Sequence, residues 1–368
     1  MKIIEPYLNF WARLTVKIRK PLVIGITGSV GKSTTAAMIS SVLTHPPIEK
    51  MIGKVGYTQD NMNDDIGLPA TLLRFHNWSE IPHNRSAKLL MLCKIPFRAL
   101  SLILGNYPKV LVLEYGAGWS GHMRQLINIV SPDIAIVTTI GPAHLERFKT
   151  LEGIAREKSR LVQSASPSGL VILGEDHEFV SFLEAKANAP VIKVSGKGTE
   201  LSRNITLAVC KHMGIPEEIV SPALENFINL KGRLDVIELT DTTVIDDSYN
   251  ANPLSVKFGL DMLEKITKPG QRRVAILGTM AELGEESVRL HEEVGQYARE
   301  RVDLLVGVGE LAKWYQPNTW FDNSGECAES INNYLRKGDC VFIKGGLRFH
   351  QGISIGQHGA NRQKIEEK

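Results

Sequence analysis

The segment LVIGITGSVGKSTTAAMIS, from Leu22 to Ser40, carries residue types that handle phosphate. An apolar, β-branched run leads into small residues at Gly28, Ser29 and Gly31. Lys32, Ser33 and Thr34 then open a helical pattern. Small residues let backbone N–H groups close around phosphate oxygens, and a helix N-terminus adds partial positive charge. A lysine at position 32 can reach β- and γ-phosphates, and the Ser33 hydroxyl can ligate Mg²⁺. The spacing departs from G-x-x-x-x-G-K-[ST]: that pattern needs glycine where Ile26 stands, and the nearest glycine is Gly25. The strand before and the helix after the loop point to a nucleotide, ATP or GTP, over an empty glycine turn.

Three more side chains belong to the same chemistry. Glu114 ends the run KVLVLE, where an acidic residue can face Mg²⁺, and Tyr115-Gly116-Ala117-Gly118 leaves room for close approach. The plain alternative is a loop cap. His144, in GPAHLERF, lies just beyond the run IAIVTT. Ligands of open parallel sheets bind outside the carboxyl ends of the strands, the edge that Glu114, His144 and the glycine loop have in common. In LEGIAREKSRLV, Lys158 falls on the helical face of Leu151, Ile154, Ala155, Leu161 and Val162, while Arg156, Glu157 and Arg160 look elsewhere. A lysine on an apolar face snorkels, pairs or is functional. Burial depresses its pKa, and the neutral amine could then add CO₂ to become a carbamate, a metal-binding anion.

Positioning these groups calls for a parallel sheet with helices on both faces, because short apolar runs alternate with longer helical patterns. Expected strands are Leu22–Thr27, Val110–Glu114, Ile134–Thr139 and Leu170–Leu173, then Thr243–Asp246, Arg273–Leu277, Leu304–Val308 and Val341–Lys344. Expected helices include Lys32–Leu43, Leu151–Val162, Pro253–Leu263 and Glu286–Arg301. The 368 residues suffice for two domains, and the change of pattern at Asn229–Arg233 marks their boundary. The expected organisation is a helix at 1–20, a P-loop central domain at 21–231, a Rossmann-like α/β domain at 232–352 and a loose tail at 353–368.

Composition excludes several function classes. A net charge of +3 without basic blocks argues against a nucleic-acid partner. The cysteines Cys93, Cys210, Cys327 and Cys340 have no metal-ligand spacing and suit a reducing cytoplasm. The N-terminal MKIIEPYLNFWARLTVKIRK reads as a helix packed on its own domain, with membrane-surface contact as the alternative, and it lacks the features of a signal peptide. The apolar stretch from Ala87 to Gly105 is interrupted by Lys94, Pro96 and Arg98, so no membrane span is expected.

Taken together, these segments resemble the Mur ligase family. GITGSVGKSTT is similar to its G-x-T-G-x-x-G-K-[ST]-T motif, and NMNDDIGLPATLL, LEYGAGWSGHM and AHLERFKTLEGIAREKSRLV resemble segments of the D-alanyl-D-alanine-adding branch. GRLDVIEL, VIDDSYNANPLSV and ILGTMAELGEESVRLHEEVG continue the likeness, with Thr279 where an aspartate is usual. The resemblance implies an ATP-dependent ligase that activates a carboxylate as an acyl phosphate and joins it to an amine.

By that resemblance Thr27, Gly28, Ser29, Val30, Gly31, Lys32, Ser33 and Thr34 hold ATP. Ser33 and Glu114 serve one Mg²⁺, while His144 and a carbamylated Lys158 serve a second. Lys32, Glu114, His144 and Lys158 are the expected catalytic set. Asn250 would contact adenine, Arg233 and Asp247 would reach the nucleotide, and Asn61 and Asn63 would meet substrate. The expected substrates are a nucleotide-sugar peptide and D-alanyl-D-alanine; a different carboxylate and amine, or a non-catalytic ATP-binding scaffold, are the alternatives. About twenty residues precede the phosphate-loop strand, so the family's N-terminal uridine-binding domain is expected to be missing or supplied by a partner. KGGLRFH resembles a shifted family motif and leaves Lys344 and Arg348 without an assigned role.

Overall fold

The computed structural model describes residues 4–59, 62–75, 85–239 and 242–345. Asn61, Arg348 and the segment 353–368 lie outside the described residues. The chain divides into two compact units between Asn229 and Leu230.

The first unit is built on β1 (Leu22–Thr27), β2 (Val55–Tyr57), β3 (Val110–Glu114), β4 (Ile134–Val137), β5 (Leu170–Gly174) and β6 (Val191–Val194). Their order is β2-β3-β1-β4-β5-β6, with every neighbouring pair parallel. Strands buried on both faces read as continuous apolar runs, as β1, β3, β4 and β5 do. Alternate positions, among them Ile24, Ile26, Val112, Ile136 and Ile172, join one core cluster with the helices Lys32–Leu43, Thr199–His212 and Glu217–Glu225. The helices His122–Ile129 and Leu151–Ser164 pack against each other, and the latter also contacts β1 and β4. Chain progression reverses across β1, which sits between β3 and β4, the topological position outside whose strand ends open α/β sheets bind their ligands.

The second unit contains β7 (Asp235–Glu238), β8 (Thr243–Asp247), β9 (Arg273–Gly278), β10 (Leu304–Val308), β11 (Thr319–Phe321) and β12 (Cys340–Lys344), in the order β11-β10-β9-β12-β8-β7. All pairs are parallel except β7 with β8. The helix Pro253–Ile266 begins at a capping box in which the Asn252 side chain accepts from Ser255 N and the Ser255 hydroxyl accepts from Asn252 N.

Both units are the α/β architecture that the strand–helix alternation implied, with four strands the pattern did not show. β2 and β11 are three residues long, and β6 and β7 carry exposed edge positions, so their apolar signal is weak. The structure also corrects the helical face of Leu151–Ser164. Glu157 is buried beside Lys158, and its carboxylate accepts from Gly121 N and Met123 N at the start of His122–Ile129. A neighbouring helix N-terminus supplies the donors that make burial of this carboxylate tolerable.

The N-terminal helix Ile4–Arg19 buries Leu8, Ala12 and Thr15 and contacts the helices Gly67–Leu72 and Arg85–Leu104. Among the described residues, no helix is long and apolar enough to cross a membrane.

Gly259 marks how closely the second unit is packed: a Cβ there would stand 2.0 Å from the ring of Phe342, which is fully buried in β12. Gly259→Ala is expected to cost about 1–3 kcal/mol in urea denaturation, and Phe342→Leu in the same background should recover part of it. An unchanged denaturation midpoint would contradict this packing.

Candidate phosphate-binding site

The site grows from the carboxyl end of β1. Parallel register sets Ile26 opposite both Glu114 and Ile136, so β1, β3 and β4 end at one level. The chain leaves β1 through Gly28, at φ 151°, and enters the helix Lys32–Leu43 from Gly31, at φ 85°. Both dihedrals lie where glycine alone is at ease. At Gly28 space is decisive as well, since a Cβ would meet Thr138 Oγ1 at 1.9 Å.

Neighbouring strand ends hold this loop from both sides. Thr27 Oγ1 donates to Tyr115 O at 2.9 Å, beyond β3. Beyond β4, Ser29 N donates to Thr139 O at 2.8 Å, Val30 N donates to Thr139 Oγ1 at 3.0 Å, and Ser29 Oγ donates to Gly141 O at 2.9 Å. β4 stops at Val137 rather than Thr139 because Thr138 and Thr139 turn to bond this loop. Neither threonine was singled out from the sequence; the signal was a pair of hydroxyls directly after an apolar run.

Two lysines converge on one acceptor. Lys32 Nζ and Lys158 Nζ donate to Gly28 O at 2.8 and 3.0 Å. Lys158 is buried, whereas Lys32 is half-buried. Burial, and then the charge of Lys32, hold the Lys158 pKa well below the ordinary lysine range, against the opposing pull of Glu157 and Glu114.

Glu114 is buried at the end of β3, where Asn63 Nδ2 donates to Oε1 at 2.9 Å and Thr58 Oγ1 accepts from Glu114 N at 3.1 Å. Gly116 N donates to Asn63 O at 2.9 Å, which fastens Asn63 to the same strand end. Two residues on, Asp65 Oδ1 lies 3.0 Å from His122 Nε2. His122 Nδ1 accepts from Gly118 N at 3.1 Å, and Trp119 stacks flat on its ring at 3.6 Å. Burial pushes His122 down and Asp65 up, while each attracts the other's charged form. The pair clasps the segment after β2 to the loop after β3, and sequence reading missed it.

His144 follows β4 as the left-handed residue before Leu145–Phe148, at φ 59°, and is half-buried. Ser33 and Thr34, also half-buried, stand in the first turn of Lys32–Leu43. That helix has neither a side-chain cap nor an acidic residue in its first turn, so its positive end is left for an anion. Among the described residues, no group of three His, Cys, Asp or Glu could hold a metal by itself.

Arg233, Asp247 and Asn250 lie in the second unit. Asp247 ends β8 and pairs in register with Lys344 at the end of β12, with Nζ 2.6 Å from Oδ2 and both residues buried. Leu234 N donates to Asp247 Oδ1 at 3.2 Å. Burial raises the Asp247 pKa and lowers that of Lys344, while their contact opposes both shifts. The Arg233 guanidinium lies over the Tyr249 ring at 4.0 Å, and the exposed Asn250 accepts from Ala251 N through Oδ1. Lys344 thus acquires a partner that the sequence did not indicate.

With this geometry in place, known proteins supply a comparison. The family described as Mur ligase middle domain matches residues 26–82 and 96–223, and that described as Mur ligase, glutamate ligase domain matches residues 232–347. The UDP-N-acetylmuramoyl-tripeptide–D-alanyl-D-alanine ligase of Haemophilus influenzae is 27% identical over 326 residues, covering 78% of this chain and 64% of that protein. The ligase of the same name from Mycobacterium tuberculosis is 30% identical over 331 residues, covering 78% of this chain and 58% of that protein. The chain therefore spans less than two thirds of the length of these two relatives. In fold it is similar to the MurF ligase from Thermotoga maritima in complex with ADP, with a TM-score of 0.75, 22% identity and coverage of 95% of this chain and 82% of that one. It is also similar to Escherichia coli FolC in complex with ADP, at TM-score 0.66 and 18% identity over 94% of this chain and 91% of that one.

Two outcomes test the site's electrostatics. The folded-state pKa of Lys158 lies below the unfolded value near 10.5, so its protonation opposes folding at neutral pH and parent stability rises as pH climbs toward that value. Lys158→Met should raise the melting temperature near neutral pH, with the gap closing as pH increases. A gap that stayed constant with pH would contradict the shift. In the second unit, Lys344→Met strands a buried carboxylate and should cost about 3–5 kcal/mol in denaturant unfolding. Most of this should return in Lys344→Met/Asp247→Leu, and equal losses in the single and double variants would contradict the pairing.

Proposed function

Because the chain belongs to the Mur ligase family, we propose that it is an ATP-dependent ligase that forms an amide bond through an acyl phosphate, adding D-alanyl-D-alanine to a UDP-N-acetylmuramoyl-tripeptide. The observation that carries this reading is the convergence of Lys32 and buried Lys158 on the Gly28 carbonyl, at strand ends where Asn63 holds Glu114. The names of the curated relatives support the substrates.

The residues Thr27 to Thr34 would hold the triphosphate of ATP, with loop amides and the uncapped helix start turned to the phosphates. Ser33 and Glu114 would hold one Mg²⁺, and His144 with Lys158 a second. Bound Mg-ATP supplies the phosphoryl group that turns a substrate carboxylate into an acyl phosphate, and an incoming amine then displaces phosphate. Lys32 offsets the repulsion between the carboxylate and the phosphates. Lys158, biased toward its neutral amine by burial, would form an N–C bond to CO₂ and release a proton to solvent, leaving a carbamate anion able to ligate metal. Asn63 fixes the orientation of Glu114. In this reading Asn250 contacts adenine, Arg233 and Asp247 reach the nucleotide, and Asn61 and Asn63 belong to the substrate side. A cytoplasmic location accords with nucleotide-linked substrates.

The test is phosphate release by the purified chain with Mg-ATP, UDP-N-acetylmuramoyl-tripeptide and D-alanyl-D-alanine, with product mass as a second readout. Release should require both substrates and yield the pentapeptide product, and Lys32→Ala should lower kcat by about 100-fold or more. No release above the ATP-only control, with or without a protein supplying a uridine-binding domain, would overturn the substrate assignment and direct the assay to other carboxylates and amines.

A further inference from the structure

The helices Ile4–Arg19 and Arg85–Leu104 lie together in the first unit, with Arg19 donating to Ile103 O at 3.1 Å. On the second helix Ile95 and Ala99 are buried, whereas Phe97 is 75%, Leu100 50% and Leu104 77% exposed. Those three positions recur at three- and four-residue spacing and so form one stripe. The N-terminal helix adds Phe10, 57% exposed, and Ile18, 49% exposed. Single exposed hydrophobics are ordinary, but a stripe of large ones on adjacent helices calls for an occupant.

Charge narrows what that occupant is. Over its described side chains the helix Arg85–Leu104 holds Lys94 and Arg98 and no acidic residue. The helix Ile4–Arg19 has Arg13, Lys17 and Arg19 toward its C-terminal end and Glu5 as its sole acid at the other. Lys20 follows directly, and Arg13, Lys17, Lys20 and Lys94 are all exposed. Beside Phe97 runs a groove of ≈ 510 Å³ lined by Phe75, Cys93, Lys94, Phe97, Arg98 and Ser101, in which apolar rings and two cations face the same space. Large apolar side chains flanked by cations are the composition of helices that lie in an anionic membrane interface, where the side chains enter the acyl boundary and the cations meet lipid phosphates. An apolar protein partner would not require the cations, and a second copy would place cation against cation.

We propose that this helix pair is a membrane-surface docking site, which seats the first unit on an anionic bilayer through Phe97, Leu100 and Leu104 with Arg13, Lys17, Lys20 and Lys94 around them. The chain would bind peripherally, since among the described residues no helix can span.

Sedimentation of the full chain with phosphatidylglycerol/phosphatidylcholine vesicles, against pure phosphatidylcholine vesicles, tests it. Binding should favour the anionic vesicles by at least roughly ten-fold and weaken with salt. Phe97→Ser/Leu100→Ser/Leu104→Ser should lower partitioning by roughly ten-fold or more. Arg13→Gln/Lys17→Gln should lower it by about five-fold per charge removed. Both variants should keep the parent's circular dichroism and melting temperature, because the substituted side chains are exposed. Absence of binding to anionic vesicles, or binding unaltered in both variants, would overturn the proposal. So would a parent dimer by light scattering that the triple-serine variant dissolves without any vesicle binding, which would make the stripe a contact between copies.

Discussion

One carbonyl oxygen, that of Gly28, receives the amines of both Lys32 and Lys158, and much of the first unit serves to make that contact. Two amines converge there because the backbone turns the carbonyl toward them, and glycine is the residue that allows the turn against Thr138. The carbonyl's place is set by β1 lying between β3 and β4, with Thr27 and Ser29 tied to the loops on either side. Lys158 reaches it from a helix whose buried Glu157 is anchored to the start of another helix. The result is a loop bonded to the neighbouring strand ends beside an amine whose charged form burial disfavours.

In the second unit the dominant constraint is the buried Lys344–Asp247 pair at the ends of β12 and β8. Burial pushes both groups toward their neutral forms, and the contact between them opposes that push. A pair of this kind stabilises little relative to apolar packing, but it holds a carboxylate at a defined point, with Leu234 N on its other oxygen. The linker residues Arg233 and Leu234 are thereby attached to a strand end.

Legibility followed the physics of each signal. The central strands could be read because residues buried on both faces must be apolar without interruption, as in LVIGIT and VLVLE. The short strands VGY and TWF and the edge strand DVIE could not, since exposed positions and short length remove that signal. The glycine loop and the places of Glu114 and Lys158 beside it were visible from residue type and position. Glu157 was misread as facing away, because helical periodicity counts apolar neighbours and cannot see the donors at Gly121 and Met123 that lie on another segment.

The sequence by itself determined the alternation of strand and helix, the glycine loop and its lysine, and the family, since these depend on residues close together in the chain. Tertiary structure alone decided which distant groups meet: Asn63 with Glu114, Asp65 with His122, Thr139 with the loop, Lys344 with Asp247, and both lysines with Gly28. Those contacts arise from strand order and register. A parallel sheet joins strands through long crossovers, so residues at neighbouring strand ends stand far apart in the chain and no local pattern announces their meeting.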